Sequence, residues 1–386
     1  MSSIIEEMFE SCHDDPCLII DYHKFGRGME NSTSMTNFQV KRTKLFVCWK
    51  IIDNELVPID KNIYGILFDT ENYLIQWTFE FVLEDTKLKE ETMFYYWRGY
   101  QSSKGLSPLP PTFNNENTVV ERICQWSEPP IFFHILFPKH VIVFSGSEVN
   151  FDPCKSRLFM LRGELPKEIH LYELQFLKKN LRSRAIFLIV VPQEKFIYIW
   201  QGGATIENNS SVCLNLASEL KQIDNNWKRF TIKHVNESNN DIIFKDDQTE
   251  YFHLEGKLDF TPRLFYFNSI TEQFSATEVQ YSLRSTGHVA AFPFLQSHLY
   301  STEEPALFLL DNNTEIWLWK GQRSTTKGED DEPDDFIRVF EQAKITADGY
   351  AKLKERIIGK TVSISYVEAR SEPIQFTNIF PYWNTE

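Results

Sequence analysis

Four cations crowd into seven residues at Lys178, Lys179, Arg182 and Arg184. In a chain of formal net charge −14 they form the clearest basic cluster, suited to a phosphoinositide headgroup or an acidic patch on a partner. The same residues also suit an ordinary helix end, where cations complement the C-terminal dipole. The run Glu329, Asp330, Asp331, Glu332, Asp334 and Asp335 offers the opposite chemistry, oxygen ligands for a divalent ion. Its spacing matches no EF-hand loop, and the plainer reading is a solvated segment serving the start of a helix. Cys12, His13, Cys17 and His23 are zinc-ligand types, but their spacing fits no familiar finger and His13 adjoins Cys12. No Gly-rich phosphate loop, Gly-x-Ser-x-Gly elbow or His-Glu-x-x-His helix occurs. The residues therefore point to binding chemistry and not to an enzyme.

Elements must carry these groups, and composition bounds what the elements are. A chain of 386 residues exceeds one ordinary core and predicts two to four domains. Hydrophobic content of 42% against 24% charged residues predicts a folded chain, and 32 Phe supply large buried rings. The acidic balance argues against nucleic acid as a partner and against broad attraction to anionic membranes. No apolar run approaches the ~18 residues of a transmembrane helix. Met1 to Glu10 lacks the apolar core of a secretory signal. Cys12, Cys17, Cys48, Cys124, Cys154 and Cys213 are scattered, which reads as free thiols in a cytoplasmic protein. The Asn-x-Ser/Thr sites at Asn31, Asn208, Asn236 and Asn312 then carry no meaning.

One unit recurs three times. Tyr95-Tyr96-Trp97-Arg98-Gly99, Tyr198-Ile199-Trp200-Gln201-Gly202 and Trp317-Leu318-Trp319-Lys320-Gly321 each read as a buried strand ending in Trp-x-Gly. The three tryptophans are core anchors. Upstream of each stands a cation and an apolar strand start: Lys44-Leu45-Phe46, Arg157-Leu158-Phe159 and Arg263-Leu264-Phe265. A further apolar strand lies between the two markers, over Tyr73 to Trp77, Ile186 to Val191 and Leu307 to Leu310. The last two are continuous apolar runs, predicted to be covered on both faces. A helical pattern follows in copy two (Val212, Leu214, Leu216, Ala217, Leu220) and copy three (Phe336, Val339, Phe340, Ala343). In copy one Pro108, Pro110 and Pro111 predict a short, displaced or absent helix. The period, roughly 110 residues, is that of a domain and not of a solenoid repeat. The expected division is an N-terminal extension over 1–32 and repeats over 33–152, 153–256 and 257–386. Each repeat is read as α+β, a mixed central sheet flanked by helices.

The Trp-x-Gly strand, the Leu-Phe strand and the trailing helix together resemble the gelsolin/villin family, and within it the supervillin branch. Copy three carries the likeness best, from Phe260-Thr261-Pro262-Arg263-Leu264-Phe265 through Glu304-Pro305 and Trp319-Lys320-Gly321 to the closing Glu372-Pro373 and Phe376-Thr377-Asn378-Ile379-Phe380-Pro381-Tyr382-Trp383. Leu181-Arg182-Ser183-Arg184 and Gly26-Arg27-Gly28 agree with it. The resemblance runs from about Asp21 to Trp383. It implies three gelsolin-like domains that dock actin filaments or cytoskeletal partners at the cell cortex. Against the full pattern of that branch, the long N-terminal region and the headpiece are missing, as in a fragment or a shortened relative.

The resemblance also implies where calcium would sit: a Gly-Asp pair before the central strand and a Glu on the long helix. Those positions read Thr70-Glu71 in copy one, Arg184-Ala185 with Ser211 in copy two, and Glu304-Pro305 in copy three. A hard cation wants several oxygens at about 2.3 to 2.6 Å, and these residues supply few. The expectation is no calcium, no other cofactor, and a scaffold without calcium control. The alternative is a severing or capping factor that binds phosphoinositides.

Overall fold

The structure, a computed structural model, describes residues 18–19, 39–82, 88–102, 120–126, 128, 132–133, 135–136, 139–163, 168–205, 210–238, 243–245, 247, 249–251, 253, 262–268, 275–278, 294–300, 306–321 and 334–383. Three sheets share one plan. A leading strand, a central strand and the Trp-x-Gly strand run antiparallel, and a fourth strand joins the Trp-x-Gly strand in parallel.

In the first sheet these strands are β2 (Gln39–Ile52), β5 (Asn72–Val82), β6 (Leu88–Arg98) and β7 (Val120–Cys124), with β3 (Glu55–Pro58) on the outer edge. Asp53 and Asn54, both at positive φ, close the β2–β3 hairpin. The second sheet uses β9 (Arg157–Arg162), β11 (Ile186–Val191), β12 (Phe196–Gln201) and β13 (Thr231–Asn236). Beyond β9 it continues through β10 (His170–Leu174), β8 (Val141–Phe144) and β4 (Ile66–Phe68), so strands that precede residue 152 complete it. The third uses β14 (Arg263–Asn268), β16 (Leu307–Asn312), β17 (Glu315–Lys320) and β18 (Ser363–Glu368), with β15 (Ser275–Glu278) and then β1 (Leu18–Ile19) beyond β14. The chain divides into two compact units, 32–257 and 1–31 with 258–386.

Helices cover the second and third sheets where the 3.6-residue period placed them. Helix α1 (Ser210–Ile223) packs Cys213, Leu216, Ala217 and Leu220 against Ile197 and Ile199 of β12. Leu214, read from the sequence as a core residue, is exposed; Cys213 takes that place, because it stands one turn before Ala217 and two turns before Leu220 on the same face. Helix α3 (Asp334–Ile358) sets Ala343, Ala347, Tyr350 and Ala351 on Phe265, Leu309 and Leu318. Small side chains let it approach the sheet closely. The opposite face of the third sheet packs Trp317, Trp319, Phe308 and Leu310 under α4 (Ile374–Thr377) with Phe376, Phe380 and Trp383. Short α2 (Gln296–Tyr300) adds Leu299. Strands β11 and β16 are buried at every position; the apolar runs Ile186 to Val191 and Leu307 to Leu310 predict this, and in β16 the polar Asp311 and Asn312 beyond the run are buried as well. The α+β class read from the sequence therefore holds.

One marker does not hold its register. Phe159 and Phe265 pair with Leu188 and Leu309, and the matching residue in the first sheet, opposite Leu74, is Trp49. The copy-one counterpart of Arg157-Leu158-Phe159 is thus Val47-Cys48-Trp49, three residues beyond Lys44-Leu45-Phe46. Register shifts between Val40 and Arg42 and between Thr43 and Leu45 interrupt β2, and they leave Lys44 and Leu45 exposed. Lys44 there joins Glu80 and Glu90 at the surface. Arg157 and Arg263, by contrast, are buried: Arg157 Nη1 donates to both oxygens of Glu173, at 2.7 and 2.8 Å.

Candidate functional site

Each Trp-x-Gly corner is built alike. Trp97, Trp200 and Trp319 stand opposite Tyr73, Phe187 and Phe308 of their central strands, and all three indoles are buried. The glycine then turns back over the start of the central strand. Its N–H donates to the carbonyl of Glu71 (Gly99, 3.0 Å), Ala185 (Gly202, 3.1 Å) or Ala306 (Gly321, 2.7 Å). A Cβ on Gly99 would stand 2.2 Å from the carbonyl oxygen of Asp69, which no side chain tolerates. These bonds make Glu71, Ala185 and Ala306 equivalent. The sequence reading set Pro305 at the third position, one residue early, because cross-strand pairing and not local pattern sets this register. Glu304 and Pro305 themselves lie outside the described residues.

Glu71 is the carboxylate retained at these positions, and it already holds a cation. Lys50 Nζ donates to Glu71 Oε1 at 2.7 Å and to Glu148 Oε2 at 3.1 Å. The Glu148 N–H donates to the same Glu71 Oε1 at 3.0 Å, and Tyr73 O–H to Oε2 at 2.6 Å. Burial pulls the Lys50 pKa down, but Glu71 and Glu148 outweigh it and the ammonium is held above its ordinary value. Lys50 comes from β2, Glu71 from the entry to β5, and Glu148 from the turn after β8 in the second sheet. Ser211 is exposed on α1. Among the described residues, no group of three or more His, Cys, Asp or Glu side chains is placed to hold a metal ion.

The four cations of the basic cluster do not share one surface role. Lys178 and Lys179 sit half-buried in a single 3-10 turn, whose N–H groups donate to Asp247 Oδ2 at 2.6 Å and Thr249 Oγ1 at 3.1 Å. Arg182 is buried, and its Nη1 donates to the carbonyls of Lys179 (2.7 Å) and Leu181 (2.8 Å). Burial pulls its guanidinium down to about 9. Arg184 is half-buried at the corner beside Gly202. Cys12, His13, Cys17, His23, Pro108, Pro110, Pro111 and Glu329 to Glu332 lie outside the described residues; Asp334 and Asp335 open α3.

Carboxylates missed in the sequence complete the corners. Trp97 Nε1–H donates to Glu128 Oε1 at 2.8 Å, and Trp319 Nε1–H to Glu372 Oε1 at 2.8 Å. Both glutamates follow by five residues the strand partner of their tryptophan, Ile123 or Val367. Both stand in Ser-Glu-Pro, with a buried phenylalanine four residues on, Phe132 or Phe376. That repeated signal was legible. In the second sheet Glu237 accepts from Ser183 Oγ and from the Gly203 N–H, each at 2.5 Å. Burial pushes the Glu237 pKa up, but these bonds and His253 outweigh it and hold the carboxyl below its usual range.

No protein-family model matches the chain. Similar proteins are supervillin of Bos taurus, 28% identical over 400 residues, covering 93% of this chain and 18% of that protein; villidin of Dictyostelium discoideum, 22% identical, covering 87% and 19%; and cytoplasmic gelsolin of Halocynthia roretzi, 22% identical, covering 87% and 44%. The chain thus spans about a fifth of the first two relatives and under half of the third. The likeness to the gelsolin/villin superfamily, with supervillin-like repeats, runs through nearly the whole chain.

Proposed function

We propose that this chain is a docking module of the actin cytoskeleton, a supervillin-like scaffold that binds actin filaments or their partners without calcium control and catalyses no reaction. The observation that carries the reading is the likeness to supervillin over 93% of the chain. Support for calcium independence comes from Lys50: its ammonium lies between Glu71 and Glu148 and neutralises the carboxylate retained at the corner. The proposed location is the cytoplasm, at the actin-rich cortex; no helix among the described residues is long and apolar enough to cross a membrane.

Likeness to gelsolins favours a second reading, a factor that severs or caps filaments. Contact with phosphoinositides, proposed for the basic cluster, would rest on Lys178, Lys179 and Arg184, since Arg182 is occupied inside the fold. Co-sedimentation with actin filaments, with calcium and with chelator, tests the first reading. Equal pelleting in both conditions is expected, and failure to pellet in either removes filament binding from the proposal. Calcium-dependent acceleration of filament disassembly on dilution would select the second.

A further inference from the structure

We propose that Glu128 is a proton-operated clasp between the first and second sheets of the unit spanning 32–257, holding them more tightly as the medium is acidified below neutrality. Trp126, Glu128, Phe132 and Phe133, which follow β7, make contacts with both sheets. On one side Phe132 meets Tyr95 edge to face at 6.3 Å, and Trp97 donates to Glu128 Oε1. On the other, the Trp126 ring lies 4.0 Å from that of Tyr172, and the Phe133 ring stacks on His170 at 3.9 Å. Phe132, Trp126 and Phe133 each address one sheet in these pairs. Glu128 addresses both, because Tyr172 O–H on β10 donates to its Oε2 at 2.6 Å while Trp97 on β6 holds Oε1.

The joint is dry. Trp97 and Phe132 are fully buried, and Glu128 is 5% exposed. Trp126 holds a left-handed backbone, φ 76°, a strained conformation for a bulky residue that the surrounding packing must sustain. The side-chain donors on Glu128 among the described residues, the Trp97 indole and the Tyr172 phenol, are both neutral. Among the described residues no cation pairs with it. The ionisable groups around it are Tyr172 and His170 on β10, Glu168 just before that strand, and Arg162 on β9, which acts on the Tyr172 phenol.

A carboxylate in such a place resists ionisation. Burial pushes Glu128 up to about 7, against the opposing pull of the Tyr172 and Trp97 bonds. Once the sheets part and water enters, the group returns to its ordinary value of 4.5. The open joint therefore releases a proton that the closed joint retains. Opening becomes easier as pH rises from 4.5 to about 7, and levels off above. This clasp is independent of what the chain binds.

Amide hydrogen exchange of the full chain at β6 and β10, corrected for the intrinsic rate, tests it between about pH 5 and about 8. The opening constant should rise by up to about tenfold per pH unit to about pH 7 and then flatten. Glu128→Gln, neutral throughout, should abolish that rise. A flat wild-type profile below pH 7, or the same slope in E128Q, overturns the proposal. Should E128Q not fold, Tyr172→Phe decides: it removes a donor to the charged form, so the plateau must move to higher pH, and an unmoved plateau equally overturns the clasp.

Discussion

Gly202 lies against Ser183 so closely that a Cβ on the glycine would stand 2.2 Å from the serine carbonyl oxygen, an oxygen that also accepts the Ala204 N–H at 2.9 Å. Ser183 Oγ is held in turn by Glu237, so the corner has no slack on either side. The Trp-x-Gly signature therefore meets a packing requirement of the strand exit.

Gly202→Ala and Gly99→Ala should each destabilise the unit spanning 32–257 by about 2–3 kcal/mol or more, since backbone and not a flexible side chain must move. Gly349→Ala is the contrast. Gly349 sits within α3 with nothing near its missing Cβ, so alanine should stabilise by about 0.5–1 kcal/mol. Urea unfolding midpoints read both; alanine tolerated at 99 and 202 would remove the packing account.

Lys50→Met should cost about 2–4 kcal/mol, because it strands a largely buried Glu71 without its cation. Adding Glu71→Gln to Lys50→Met should recover part of that loss. A double-mutant cycle measures the coupling; a Lys50→Met cost no larger than that of exposed Lys352→Met would show that the ammonium contributes nothing.

Asp311 on β16 and Lys354 on α3 form an ion pair between the third sheet and its helix, both fully buried, and Tyr350 O–H donates to Asp311 Oδ2 at 2.6 Å. Removing one charge leaves the other in the core. Lys354→Met should destabilise by about 3–5 kcal/mol, and Asp311→Asn comparably. Thermal unfolding of the two variants checks this, and a loss under ~1 kcal/mol in both would contradict it.

Within the basic cluster, Lys178→Glu with Lys179→Glu should leave stability within ~0.5 kcal/mol while weakening binding to phosphoinositide vesicles. Arg182→Ala should instead cost about 2–4 kcal/mol, since two backbone carbonyls lose their donor and a packed stem is lost. Unchanged vesicle binding in the double variant would rule out this turn as the lipid contact.

What the residues determine alone is periodic. Apolar runs at Ile186 to Val191 and Leu307 to Leu310 dictate strands covered on both faces, the 3.6-residue stripes dictate α1 and α3, and three Trp-x-Gly ends disclose the repeat. Such signals depend on neighbours two to four residues apart. Tertiary structure alone decided the rest. The bulged β2 moved the first marker from Lys44 to Val47. Cross-strand pairing moved the third corner to Ala306. Burial took Arg182 out of a cluster that looks uniform on paper. Glu128 meets Tyr172 across 44 positions and Lys50 meets Glu148 across 98. A buried charge or dipole must find its partner through space, and the order of strands in a sheet, which local pattern does not encode, chooses that partner.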